Sequence, residues 1–235
     1  MSKTFYEQVG VAMTCRGFAE YQAMFQLKEE ELAAGQILDV AGGGSSFTAE
    51  AVRKGYDAMA ADPRYAGNIG AWVEEAREEI EVSTEKLDGL KERFDWSYYG
   101  SLENHHGGRV KSLALFEEHV ASAEGERRYI GGALPELPFE DNRFSLVLCS
   151  HFLFLYAEQF GYEFHEAAIR ELMRVCRPGG TIRVYPLLSL KWEPYAKLNE
   201  LMEAVRKAGG TPDIRESGLP FIPGSDRMLN IVTNV

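Results

Sequence analysis

The stretch Ile37-Leu38-Asp39-Val40-Ala41-Gly42-Gly43-Gly44-Ser45-Ser46-Phe47 decides the fold of this 235-residue chain. Four residues of buried-strand character run into a turn of small residues. From Ser46 a helical pattern follows through Phe47, Ala49, Ala51 and Val52, and it stops near Gly55. Tyr56 to Ala61 reads as a second strand, closed by Asp62-Pro63. Strand, helix and strand in that order form a right-handed crossover, which predicts a parallel sheet.

Upstream, Phe18, Tyr21, Met24 and Phe25 recur at helical spacing, and the pattern extends to about Ala34 before Gly35 ends it. Downstream, Val73, Ala76, Ile80, Ser83, Leu87, Leu90 and Phe94 step by threes and fours, predicting one long amphipathic helix. A polar turn with His105-His106-Gly107-Gly108 and a second helical piece through Leu113, Leu115, Phe116 and Val120 follow. These two helices, about residues 65–127, replace a short crossover and form either a decoration on the sheet edge or a lid.

The strand–helix rhythm then resumes. Strands are expected at Arg128–Gly131, Phe144–Cys149 and Thr181–Tyr185, with a helix over about His165–Cys176 broken by Arg177-Pro178-Gly179-Gly180. Another helix opens at Pro194, and two strands close the chain, around Pro212–Arg215 and Met228–Thr233. No repeat or linker interrupts the pattern, so residues 1–235 are expected to form a single domain with an N-terminal helical segment over 1–35.

The net charge of −11 opposes broad nucleic-acid binding, which requires a basic surface. Three cysteines, Cys15, Cys149 and Cys176, lack zinc-ligand spacing and suit a reducing compartment. The first residues lack the apolar core of a signal peptide, and no stretch has the length of a membrane span. A soluble, cytoplasmic protein without a metal is expected, and a homodimer is left open.

Four features carry chemistry. The small residues Ala41, Gly43 and Ser45 allow close backbone approach where a helix N-terminus favours an anionic or polar group, although glycine turns also serve purely structural ends. Asp62, at a strand end beside that loop, can accept both hydroxyls of a ribose or cap its own turn. Gly131-Gly132-Ala133 lies at a strand end where backbone amides could read an adenine edge. Ser150-His151-Phe152 follows the most apolar strand, and a histidine there serves packing more readily than general-base work.

With these residues in place, the sequence resembles a class I S-adenosylmethionine-dependent methyltransferase of the small-molecule type. The resemblance runs from about Tyr21 to the C-terminus. It rests on Ile37–Ser45, Asp62, Leu137-Pro138-Phe139-Glu140-Asp141-Asn142-Arg143-Phe144-Ser145-Leu146-Val147 and Leu172-Met173-Arg174-Val175-Cys176-Arg177-Pro178-Gly179-Gly180 in that order. It implies a doubly wound, seven-stranded, mostly parallel α/β sheet with the last strand antiparallel. S-adenosyl-L-methionine would then lie across the strand ends. Asp39, Ala41, Gly42, Gly43 and Ser45 would organise its amino-acid end, with Tyr21 closing over it, and Asp62 with Pro63 would take the ribose. Gly132 and Ala133 would face the adenine, and Ser150 and His151 would complete the site. Gly132 departs from the family, many of whose members place an acid there.

Methyl transfer asks mainly for in-line positioning, so a missing triad does not oppose activity. His151 and Tyr185 are the candidates for a catalytic group. Tyr98, Tyr99, His105, His106, His151, Tyr156 and Tyr185 are candidate liners of an acceptor pocket, with a solvated turn as the plainer reading of the His105-His106 pair. A nicotinamide enzyme is opposed by Phe47, which stands where its fingerprint needs glycine or alanine. A non-catalytic module that binds the nucleotide, or a partner subunit, is the alternative from another class.

Overall fold

Strands β1 (Ile37–Val40) and β4 (Phe144–Ser150) are buried along their whole length, so both faces of the sheet must be covered. The computed structural model describes residues 11–13 and 15–234. It contains β2 (Ala58–Ala61), β3 (Tyr129–Ile130), β5 (Cys176–Tyr185), β6 (Gly210–Glu216) and β7 (Arg227–Thr233), in the spatial order β3-β2-β1-β4-β5-β7-β6. Strands β1 to β5 pair in parallel, while β7 runs antiparallel to both β5 and β6. This is the expected doubly wound sheet.

Alternation along the strands sorts the core into two layers. Leu38, Val40, Val147 and Val184 face Ile169 and Leu172 of α6 (Tyr162–Val175) and Leu201 of α7 (Leu198–Lys207). Ile37, Leu146 and Leu148 face the other way, under Tyr21 and Phe25 of α1 (Phe18–Phe25), Leu32 of α2 (Glu29–Leu32) and Phe47 of α3 (Phe47–Arg53). A third cluster joins Trp72 of α4 (Ile69–Asp88) to Leu113 and Phe116 of α5 (Leu102–Val120).

Several boundaries differ from the sequence reading. The N-terminal helix is divided, because Gln26 takes a left-handed φ of 51° and ends α1. The long helix stops at Asp88, so Leu90 and Phe94 pack from beyond its end. The polar turn is absent: Ser101 caps α5 by accepting the Asn104 amide, and His105, His106, Gly107 and Gly108 all lie inside the helix. Burial of His105, Leu113 and Phe116 outweighs the helix penalty of two glycines, about 1 kcal/mol each. Strand β5 starts at Cys176 and carries the Pro178-Gly179-Gly180 run within it. Helix α6 begins at Tyr162, before His165. Helix α7 begins at Leu198, since Pro194 is occupied in a bridge to Leu188.

The register positions the site. Val40 lies between Ala61 and Cys149, so β1, β2 and β4 end side by side. Strand order reverses between β1 and β4, and open α/β sheets bind ligands at that switch point.

Candidate functional site

The loop after β1 has the backbone of a cradle. Ala41 and Gly43 adopt left-handed φ values of 58° and 53°, turning the chain sharply after the strand. A Cβ on Gly42 would stand 3.0 Å from both Asp39 Oδ2 and Tyr65 Oη, so only glycine fits without a shift. Tyr65 Oη donates to the Gly43 carbonyl at 2.6 Å and fixes the turn.

Two buried carboxylates flank this loop. Both oxygens of Asp39 lie 3.0 Å from the Tyr21 hydroxyl, which donates to them. Burial pushes the Asp39 carboxyl up to about 8; the Tyr21 bond opposes the shift and the charge of Asp62 adds to it. Asp62 accepts the Gly43 amide at 3.2 Å through Oδ2 and the Arg64 amide at 3.0 Å through Oδ1. Burial also raises its carboxyl, against the bonds from Arg64 and Gly43. The Arg64 bond caps a short 3-10 turn, Pro63–Ala66, so Asp62 serves as a turn cap. A carboxylate has about four lone-pair sites, and two remain for further donors.

The loop is covered from above. A Cβ on Gly44 would stand 2.9 Å from both Cys15 Sγ and Leu113 Cδ1, and Ser46 donates its amide to Ser112 of α5 at 2.9 Å. Arg16 fastens the cover. Its amide donates to Ser45 Oγ at 3.3 Å, and Nη1 donates to Glu20 at 3.1 Å and to Tyr99 Oη at 2.8 Å. Its Nη2 lies 3.1 Å from His151 Nε2.

A guanidinium cannot accept, so His151 Nε2 is the acceptor and the imidazole proton sits on Nδ1, 2.9 Å from Ser150 Oγ. Burial and the Arg16 charge hold His151 well below the ordinary histidine range. Its basic lone pair is therefore occupied, and as a catalytic group it is weak. Tyr185 is a poorer candidate still: its hydroxyl donates to Leu219 O at 2.6 Å and lies 2.9 Å from Ser225 Oγ, anchoring the loop before β7.

On the β2–β3 side, the Gly132 amide donates to Asp62 O at 3.3 Å, and Ala133 is exposed in a bridge to Glu136. A Cβ on Gly132 would lie 2.6 Å from Pro138 Cδ, which explains why the chain carries no acid there. The structure thus gathers Tyr21, Asp39, Ala41, Gly42, Gly43, Ser45, Asp62, Pro63, Gly132, Ala133, Ser150 and His151 along one edge of the sheet.

Beside this edge lies a cavity of about 90 Å³. Arg16, Arg109, Glu79, Ser83, His151 and Tyr156 supply its polar lining. Of the expected acceptor-pocket residues His151 and Tyr156 reach it. Tyr99 is bound to Arg16 and Glu20, His106 pairs with Glu81 on the surface, and Tyr98 is exposed. His105 is buried behind, stacked on Phe221 at 5.0 Å. The sequence reading omitted Arg16, Arg109 and Tyr65. Arg16 offered only its place ahead of the first helix as a signal, and Arg109 became visible only once α5 was known to run through the glycine pair.

Residues 97–184 match the family described as "Methyltransferase domain". The chain is 30% identical over 217 residues to Uncharacterized protein MJ0045 of Methanocaldococcus jannaschii, covering 92% of this chain and 93% of that one. Among solved structures it is similar to a TehB-like SAM-dependent methyltransferase of Corynebacterium glutamicum, at 15% identity and a TM-score of 0.47, over 86% of this chain and 80% of that one. It is also similar to the 1,6-didemethyltoxoflavin-N1-methyltransferase of Burkholderia thailandensis, solved with S-adenosylhomocysteine, at 16% identity and a TM-score of 0.44, over 85% and 71%. The chain belongs to one family with the M. jannaschii protein, and its residues 97–184 carry the methyltransferase-domain match.

Proposed function

We propose that the chain moves a methyl group from S-adenosylmethionine to a small-molecule acceptor. The observation that carries this is Asp39, a wholly buried carboxylate with a hydroxyl donor but no cationic partner among the described residues. Burying an uncompensated acid is costly, and a ligand bearing positive charge would offset that cost. S-adenosylmethionine supplies two such charges, its ammonium and its sulfonium, and an electrophilic methyl that passes to an acceptor lone pair while the carbon–sulfur electrons stay on sulfur.

Tyr21 orients Asp39 toward the amino-acid end, beside the backbone of Ala41, Gly42, Gly43 and Ser45. The open lone pairs of Asp62 take the ribose hydroxyls, with Pro63 fixing the turn. Gly132 and Ala133 present backbone to the adenine, and Ser150 with His151 borders the methyl. Because the His151 lone pair is occupied by Arg16, proton removal is not its task. The chain contributes alignment and exclusion of water, and the acceptor arrives already nucleophilic. The acidic net charge supports a small acceptor over a nucleic acid, and three free, buried cysteines support a cytoplasmic setting. Among the described residues no helix is long and apolar enough to cross a membrane.

Calorimetry with S-adenosylmethionine, S-adenosylhomocysteine and NAD tests the proposal. Both sulfur nucleotides should bind and NAD should not; no binding of either at millimolar concentration overturns the reading. The occupied polar atoms of His151 and Tyr185 favour a second reading, a module that holds the nucleotide without turnover. Release of S-adenosylhomocysteine across an acceptor panel separates the two.

A further inference from the structure

The cavity beside the β1 loop has an uneven chemistry. Its apolar wall is formed by Ile80 and Leu87 of α4, Phe94, Leu155, Trp192 and Phe221. Its charged lining carries two guanidiniums and one carboxylate. The groups differ in how far they are already engaged. Arg16 is ion-paired to Glu20 at 3.1 Å. Glu79 accepts the Met13 amide at 3.2 Å. Arg109 donates only its Nε, to His105 Nε2 at 3.1 Å, and forms no ion pair among the described residues.

That single bond also directs Arg109. His105 is clamped in the aromatic cluster of Trp96, Tyr99 and Phe221, with ring centroids 4.6–6.1 Å away. Since Nε2 accepts from Arg109, His105 is neutral with its proton on Nδ1, a buried atom without a hydrogen-bond partner. Burial and the Arg109 charge both keep it from taking a second proton. A histidine held this way is a fixed acceptor that anchors one edge of the guanidinium. The fork of terminal nitrogens is left for a planar anion, the geometry in which arginine binds carboxylates bidentately.

We propose that this cavity is the acceptor pocket, and that Arg109 selects small carboxylic acids with a flat or branched apolar body. The assignment rests on the methyltransferase reading above, because Arg16 and His151 link the cavity to the donor loop. The pocket holds about 90 Å³ and opens to the surface; since a cavity of roughly 150 Å³ accepts benzene in an engineered protein, it would bury a branched chain or part of one ring and leave the rest of the acceptor at its mouth. A neutral amide or ester of the same shape keeps the apolar contacts but loses the charge-assisted pair.

The test uses the full chain saturated with S-adenosylhomocysteine. Benzoate, phenylacetate and isovalerate are titrated against benzamide, phenylacetamide and isovaleramide by ligand-observed NMR. At least one acid should bind at least tenfold more tightly than its amide. Arg109→Gln should erase that preference, and Arg109→Lys should retain part of it. Equal affinities within acid–amide pairs, no acid binding at 10 mM (roughly the weakest affinity class worth considering), or a preference that survives Arg109→Gln each overturn the proposal. Affinity for S-adenosylhomocysteine is measured separately. If it fails while acids bind, the donor reading is at fault; if it holds while acids do not bind, the acceptor assignment is.

Discussion

The hydroxyl of Tyr21 is equidistant, at 3.0 Å, from the two carboxylate oxygens of Asp39, joining the first helix to the first strand at the ligand edge of the sheet. Burial there raises the carboxyl from 3.8 to about 8, so between those values the folded chain holds a proton that the unfolded chain has released. The Asp39 contribution to stability therefore falls as pH rises from 3.8 toward 8 and levels off above it. Asp39→Asn keeps an acceptor for Tyr21 and removes the titration. Its Tm advantage over the parent should grow between pH 5 and pH 8.5, reaching on the order of 5 °C. An advantage that does not change with pH means Asp39 titrates as an ordinary acid.

Asp62 ties the β2 end to the β1 loop through Gly43. Asp62→Ala should weaken S-adenosylmethionine binding by about 2–4 kcal/mol, through loss of two charge-assisted bonds to the ribose. Calorimetry reads this directly, and unchanged affinity removes the ribose assignment.

Gly132→Asp would install the acid that many family members carry. Pro138 Cδ lies 2.6 Å from the new Cβ, so the substitution should destabilise by about 1–3 kcal/mol in urea unfolding. A neutral result would mean that the Leu137-Pro138 loop yields freely.

Gly107 and Gly108 lie inside α5, where an added Cβ meets nothing within 4 Å. Gly107→Ala and Gly108→Ala should each raise stability by about 0.5–1 kcal/mol by restricting the unfolded chain. Loss of stability in both would show that the segment is not helical.

Tyr185→Phe removes the bonds to Leu219 and Ser225. Unfolding free energy should fall by about 1–3 kcal/mol, since the Leu219 carbonyl loses its donor in a buried place. Affinity for S-adenosylhomocysteine should stay within about twofold; a larger change would return Tyr185 to the site.

Much of the fold was legible in local signals. Ile37–Val40 and Phe144–Cys149 are apolar runs bounded by turn residues, and Gly42 stands where the chain bends against Asp39 and Tyr65. Those signals determined the parallel sheet, the switch point and the position of Asp39 and Asp62. What local reading misjudged was decided by distant partners. His105-His106-Gly107-Gly108 carries turn propensity, yet burial against Phe221 and α4 keeps it helical. Tyr185, a catalytic candidate by its place at a strand end, has its hydroxyl claimed by residues more than thirty positions on. The engagement of His151 by Arg16, across 135 residues, and the single-bonded Arg109 have no sequence signal. A side chain's available lone pairs depend on which donors folding brings to it, and only the tertiary structure sets that.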